Sequence, residues 1–322
     1  MFDPGTALSA YSRSPACLGA SAAPWHGQTM EHPRTAFPRS WILLALALAV
    51  LSACGNGSSG GGTTSVLVFS RTTGFRHPSI EPGVEALRAL GAANGFAVEH
   101  TEDPAAFSDD NLARFQAVVF LSTTGNPLAD AAQRAAFEGF IRSGGGYVGI
   151  HAASDQDDAS RTGWPWYGRL VGSYFSGHPL YSARSSGDEV CGFMGIVSCH
   201  DGTVTIEDAT HPATEHFAGA GSPPLWFTYD EFYGFAPNPR PQVHVLATLD
   251  ESTYLDDPRR VPFGPGAMGA DHPIAWCHEF EGGRSFYTGL GHDTDLYRDD
   301  AYLQHLLGGI RWAAGEVDAD CR

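Results

Sequence analysis

The chain has 322 residues, 43% hydrophobic and 11% aromatic, the composition of a folded globular protein. With 36 Asp and Glu against 19 Lys and Arg, the formal net charge of -17 repels phosphate backbones and anionic headgroups and argues against nucleic acid as a partner.

The amino-terminal part reads as a targeting region, set apart from the fold. Arg34 and Arg39 precede an apolar stretch from Trp41 to Leu51, shorter than the roughly 20 residues a spanning helix needs, and small residues follow before Cys54. Leu51-Ser52-Ala53-Cys54 resembles the bacterial lipobox, in which cleavage frees a cysteine that carries a diacylglycerol. The expected arrangement is a signal region over 1–53, with translation starting at Met30, then a lipidated Cys54 and a flexible Gly/Ser tether over 54–64. An uncleaved anchor with an incidental cysteine is the alternative. A domain over 65–315 with a tail over 316–322 would then hang in the bacterial cell envelope, facing the periplasm or the exterior.

From Ser65, short β-branched or aromatic runs alternate with longer amphipathic ones, which predicts a doubly wound α/β domain with a mainly parallel sheet. SVLVFS is the first strand. A helix follows, with Val84, Leu87 and Leu90 at helical spacing and Gly95 as its stop. FAVEH is a strand, SDDNLARF a short helix opened by Ser108, QAVVFLS a buried strand, and ADAAQRAAFEGFIRSGG a helix closed by glycines. The apolar run Tyr147 to Ile150 is the next strand, and it ends on His151. From Trp164 to Arg240 the chain is rich in Gly, Pro, Trp and Tyr and reads as loops and short strands laid over one end of the sheet. Regular structure returns with VHVLATLD, then a hairpin turning at Gly282-Gly283, then a helix from about Asp300 to Ala314.

Ligands of open α/β sheets collect beyond the carboxyl ends of the strands, where Ser70 to His77, Ser122 to Asn126 and His151 all fall. His77, His178, His211 and His272 each precede a proline, which holds them in stiff, extended backbone. His77 and His178 are candidate site residues, whereas His211 reads as ordinary turn chemistry. His292 in YTGLGHD shares the local context of His151, a glycine-flanked histidine after a strand. An imidazole there can be acid, base or metal ligand. His77, His178 and His292 are the candidate ligands of a divalent metal such as zinc. Asp230 and Glu231, set between aromatics in TYDEFY, could orient His151 or share a metal with it, and Asp155 is a lesser candidate. His151, Asp230 and Glu231 form the candidate catalytic set. Trp164, Trp166, Tyr167, Trp226, Tyr229 and Tyr233 offer faces suited to a pyranose, and core packing is the other explanation for at least half of them. Trp164, Tyr167, Trp226 and Tyr233, with Arg76 on the rim, are the candidate substrate contacts. Four cysteines follow the tether, an even number in an oxidising compartment. Of three pairings, Cys191–Cys199 with Cys277–Cys321 is favoured, and the spacings are not those of a zinc knuckle.

The motifs GFRHPS, GGGYVGIHAASD, YFSGHP, YDEFY, HPIAWCHEFEGGRSFYTGLGHD and GGIRWAAG, in this order from Val66 to Gly315, resemble the ThuA-like family, named for trehalose utilisation. The resemblance implies a flavodoxin-like fold of the class I glutamine amidotransferase type with aromatic-rich inserted loops. It also exposes a departure. Where an amidotransferase carries a cysteine nucleophile in a G-x-C-x-G elbow, this chain has Gly149-Ile150-His151-Ala152-Ala153, so glutamine hydrolysis through a thioester has no nucleophile. The family's link to disaccharides and 3-keto sugars implies an enzyme acting on a small carbohydrate or oxidised glycoside. A non-catalytic, surface-tethered carbohydrate-binding lipoprotein is the alternative.

Overall fold

The computed structural model describes residues 63–182, 191–193, 196–255, 260–261 and 266–322. The signal-like segment, Met30, Cys54 and nearly all of the tether lie outside the described residues. Among the described residues no helix is long and apolar enough to cross a membrane.

Nine strands form the main sheet: β1 (Ser65–Phe69), β2 (Ala97–Thr101), β3 (Ala117–Leu121), β4 (Gly146–Ile150), β5 (Cys199–Ile206), β6 (Leu225–Glu231), β7 (His244–Asp250), β8 (Pro273–Phe280) and β9 (Gly283–Thr288). Their order is β6-β5-β7-β8-β9-β4-β3-β1-β2. The segment β2-β1-β3-β4-β9 is parallel throughout and has the 2-1-3-4-5 order of a flavodoxin-like sheet. β3 and β4 are completely buried apolar runs, as strands covered on both faces must be.

The helices of this half follow from local signals. α1 (Ile80–Asn94) ends at Gly95, whose left-handed conformation lets its N–H bond back to Gly91 O. Asp130 caps α3 (Ala131–Arg142) by accepting from the amides of Ala132 and Gln133. α6 (Asp300–Ala313) is capped by Asp299 and buries Tyr302, His305, Leu306, Ile310 and Trp312.

The other half corrects the sequence reading. Two long stretches of the supposed loop region, Cys199–Ile206 and Leu225–Glu231, are strands that extend the main sheet through β7 and β8, each antiparallel to its neighbours. The sheet is therefore mixed, with its parallel half as expected. Only part of the Trp164–Arg240 region behaves as insertion. It holds a short strand pair, Tyr174–Gly177 with Gly234–Ala236, and the helix α5 (Pro165–Val171), named after α2 (Asp109–Leu112) and α4 (Asp158–Gly163). The β8–β9 hairpin turns at Glu281-Gly282, one residue earlier than expected, with both residues at positive φ as a tight two-residue turn requires.

Both expected disulfides are present. Cys191–Cys199 closes a loop of sequence separation 8, and Cys277–Cys321 ties the carboxyl terminus to β8. Residues 316–322 are thus pinned down, with Cys321 buried and Asp318 paired to Arg284.

Candidate metal centre

The rim at the carboxyl ends of the parallel strands is assembled by three stitched loops. After β1, Thr73 donates its amide to Thr124 O (2.9 Å) while its hydroxyl accepts from the Asn126 amide (2.6 Å). The close approach needs Gly125, at φ +79°, because a Cβ there would sit 2.4 Å from Thr73 Oγ1. This loop ends at His77-Pro78, directly before α1.

His151 stands at the strand-to-helix elbow after β4, with φ +49°, a conformation a non-glycine residue holds only when its surroundings impose it. The Tyr287 hydroxyl donates to His151 O (2.7 Å) and is bonded to Ser154 Oγ (2.8 Å). The ring is fixed by its Nδ1–H, which donates to Gly289 O at 2.9 Å. A carbonyl can only accept, so Nδ1 carries the proton and the lone pair of neutral His151 lies on Nε2.

His292 follows β9 in a loop held from both sides. Tyr297 donates to Gly291 O (3.1 Å) and Tyr302 to Leu290 O (3.0 Å). From across the sheet, the Asp230 carboxylate accepts from the amides of Gly291 (2.7 Å), His292 (3.0 Å) and Asp293 (2.8 Å). Burial pushes the Asp230 pKa up, opposed by the nearby His151 and His292 and by these N–H groups. Of the expected catalytic set, Asp230 has its oxygens turned to the backbone of the His292 loop, a place from which it positions that loop.

Glu231, the next residue, does reach the chemistry. Its Oε2 is 3.1 Å from His292 Nδ1 and 3.3 Å from His151 Nε2, and those two nitrogens are 3.3 Å apart. Desolvation would raise the Glu231 pKa, but the His151 and His292 rings beside Oε2 outweigh it and hold the carboxyl well below its ordinary range. β6 lies five positions from β4, which in a flat sheet would separate their ends by roughly 24 Å. The observed contact requires the antiparallel half to curl back over the rim, and β7 carries the register shifts, at Val245/Ala247 and Ala247/Thr248, that bend such a sheet.

His77 completes the cluster. Ligand atoms of His77, His151, Glu231 and His292 all lie within 4.8 Å of one another, and all four residues are buried. Desolvation, then the neighbouring His151 and His292, push the His77 pKa well down, so its imidazole is neutral. Its Nδ1 is buried without a partner, and its Nε2 lies 3.5 Å from the Tyr233 hydroxyl. The Tyr233 ring packs on His151 at 4.0 Å and on Phe175 at 4.1 Å, which makes it a wall of the site.

The cluster fits a divalent cation. Tetrahedral or octahedral coordination with metal–ligand distances of about 2.0–2.1 Å places adjacent ligand atoms roughly 2.8–3.4 Å apart. The Nε2, Nδ1 and Oε2 triangle falls in that range. Three imidazoles and one carboxylate suit zinc or another first-row divalent ion. Two further groupings that combine histidine with cysteine use Cys191–Cys199 and Cys277–Cys321, whose sulfurs are committed to disulfides.

Of the expected ligands, His77 and His292 belong to the cluster, and His151 joins them. His178 stands just outside: its Nε2 is 3.5 Å from Glu231 Oε1, and its side chain is 25% exposed. The expected sugar platform is not formed by Trp164, Tyr167 and Trp226. Trp164 stacks on Tyr167 and Trp166 and donates to Glu138, Tyr167 bonds Tyr147 and Ala153 O, and Trp226 packs on Phe217 and His305. All three are buried, so they contribute packing and offer no open face. Arg76 is exposed on the rim and engaged by Glu81 and Glu102 at 2.6 and 2.9 Å. Asp155 lies near the cluster, its pKa raised by burial against Arg161 and His151.

A family model for ThuA, described as trehalose utilisation, matches residues 65–313. The chain belongs to the ThuA family. Among solved structures, a ThuA-like protein from Bacteroides uniformis is 23% identical with a TM-score of 0.58, the alignment covering 78% of this chain and 91% of the other. A ThuA-like protein from Parabacteroides merdae is 20% identical with a TM-score of 0.56, covering 80% and 92%. The cytoplasmic protein STM1381 from Salmonella typhimurium shares the fold at 9% identity and a TM-score of 0.50, covering 78% and 99%. No curated protein matches the chain. At the elbow after β4, Gly149-Ile150-His151-Ala152-Ala153 presents a histidine and no cysteine.

Proposed function

We infer that this ThuA protein is a membrane-tethered enzyme of carbohydrate utilisation that acts on a sugar or 3-keto-glycoside with the help of one divalent cation, such as zinc, held by His77, His151, His292 and Glu231. The observation that carries the reading is the triangle of His151 Nε2, His292 Nδ1 and Glu231 Oε2, with edges of 3.1 to 3.3 Å, buried at the rim of the parallel sheet.

A bound cation would supply Lewis acidity toward a carbonyl or hydroxyl oxygen. The protein supplies the rest. Glu231 stays anionic, and His151 is held in one tautomer by Gly289 O. Tyr233 keeps its proton, since burial and then Glu231 push its pKa well up, and its ring excludes water from one side. His178, partly exposed beside Glu231 Oε1, can exchange a proton between a substrate and solvent. In a 3-keto-glycoside the ketone acidifies the neighbouring C–H bond. His178 Nε2 takes that proton, a C=C bond forms as the C–O bond to the aglycone on the next carbon breaks, and the aglycone oxygen takes up a proton as it leaves.

Elemental analysis of the purified protein in chelator-free buffer tests this. One cation per chain, lost in His151→Ala and His77→Ala, supports the reading. Turnover of a 3-keto-glycoside that survives His151→Ala would sink it. The binding-protein alternative relied on open aromatic faces, and the burial of Trp164, Tyr167 and Trp226 removes most of them.

A further inference from the structure

The outer strands of the antiparallel half, β6 and β5 with the end of β7, leave one face open to solvent, and its residues are unlike a core. Strand alternation puts Leu225, Phe227, Tyr229 and Glu231 on one side of β6, at intervals of about 6.8 Å. Across from them on β5 stand Thr205, Thr203 and Asp201, and beyond these on β7 stand Thr248, opposite Thr205, and Asp250, opposite Thr203. The intervening residues Val204, Ile206, Trp226, Asp230, Ala247 and Leu249 are buried on the other side. Phe227 is 73% exposed and Leu225 40%, the largest apolar surfaces on this face.

Two shallow grooves lie on it. One, of about 310 Å³, is lined by Asp201, Thr203, Phe227, Thr228, Tyr229 and Thr253. The other, of about 400 Å³, runs along Thr205, Thr248, Asp250, Glu251 and Ser252. Each has the size of a small-ligand site, roughly 300–1,000 Å³. Among the described residues neither lining contains a Lys or Arg, and both contain carboxylates.

We propose that this face is a docking surface for a neutral glycan chain, with one sugar ring stacked on Phe227 and its hydroxyls bonded by Asp201 and Thr203. The inference rests on the carbohydrate reading above and extends it: the substrate is a glycan longer than the buried site can hold. The C–H face of a pyranose needs an exposed aromatic ring, and its hydroxyls need carboxylates and hydroxyls beside that ring. Here Thr203 is the cross-strand neighbour of Phe227, and Asp201 that of Tyr229. The carboxylates Asp201, Asp250 and Glu251, with no Lys or Arg among the described lining residues, disfavour uronic, sulfated or phosphorylated chains. A hydrophobic protein partner would want a broader apolar patch than two side chains among threonines and acids. Two positions beyond Tyr229 the same side of β6 carries the buried Glu231.

The test is affinity electrophoresis of the full protein through gels containing laminarin, xyloglucan, soluble starch or, as an anionic control, polygalacturonate. Wild type should be retarded by at least one neutral polysaccharide and not by the control. Phe227→Ala should weaken retardation about tenfold or more, the effect of truncating an aromatic anchor, and Phe227→Trp should retain it. No retardation in any neutral gel, equal retardation of Phe227→Ala, or preference for polygalacturonate overturns the proposal. Sedimentation of the same samples reads the rival occupant: a wild-type dimer that Phe227→Ala dissociates would mark β6 as a self-pairing edge and also overturn it. Metal content keeps the two readings apart. A cation bound at the buried cluster without polysaccharide retardation rejects the docking face alone, whereas loss of both rejects the carbohydrate enzyme as well.

Discussion

The two halves of the sheet do different work. In the parallel half β1, β3, β4 and β9 are covered on both faces, and its loops supply His77, His151 and His292. In the antiparallel half the outer strands β5 and β6 are covered on one face over most of their length, and the edge strand β6 supplies Asp230 and Glu231 from five strands away. A regular scaffold thus positions the imidazoles, while a curled extension brings a carboxylate within 3.3 Å of two of them. Neither half has the site alone.

The sharpest way to break this division is to empty the parallel half of its ligands. His151→Ala should abolish stoichiometric metal and lower turnover of a keto-glycoside by about a thousandfold or more, read by elemental analysis and product assay. Next in size, Trp164→Ala should cost about 3–5 kcal/mol in denaturant unfolding while metal content per folded chain stays the same, because Trp164 is packing and not platform. Metal loss in that variant would mean the packing of α5 supports the cluster. Cys277→Ser should cost roughly 2–4 kcal/mol by freeing the terminus from β8, with Cys321→Ser giving the same value. Asp230→Asn should weaken metal affinity about 10–100-fold, as loss of a group that orients a ligand does, and leave a measurable site. An unchanged affinity would show that Tyr297 and Tyr302 suffice to hold the His292 loop.

The smallest effect concerns acid stability and lies away from the cluster. Burial lowers the His305 pKa from 6.5 to about 3, and its Nδ1–H bonds Ala213 O. The folded protein keeps this ring neutral, so the unfolded chain binds more protons below pH 6.5. Stability from this residue is therefore complete above pH 6.5 and is lost as pH falls toward 3. Between pH 6.5 and 5 the loss is about 2 kcal/mol. His305→Gln should remove that share of the acid slope, measured by unfolding at both pH values.

The same division explains what could be read from the sequence. VLVF, AVVFL and YVGI are short runs that only a buried parallel strand explains, and a histidine after such a run lies on the ligand rim by topology. CHDGTVTI and LWFTYDE were harder. Each buries a single face, each carries polar or aromatic residues on the other, and Gly202 is needed where the Phe232 ring would meet a Cβ at 2.3 Å. Such strands read as loops because half of each is surface. Asp230 and Glu231 are adjacent in sequence and alternate in direction, so one bonds backbone amides while the other faces imidazoles. No pattern of residue types distinguishes them without the neighbouring strands. Trp164 and Trp226 show the complementary failure, since a tryptophan in a Gly- and Pro-rich stretch signals a flat face but not which way it points.

The depth of the cluster has a temporal consequence. His151 is wholly buried, and His77, Glu231 and His292 are each no more than 4% exposed, with His178 the most open group beside them. An ion enclosed by these four would exchange with the medium only when the His178 side opens, so chelators would strip it over hours without disturbing the fold. Unfolding and refolding in the presence of a different ion would be the faster route to replace it. The metal found in a preparation would then record the ions present when the chain folded more than those in the final buffer.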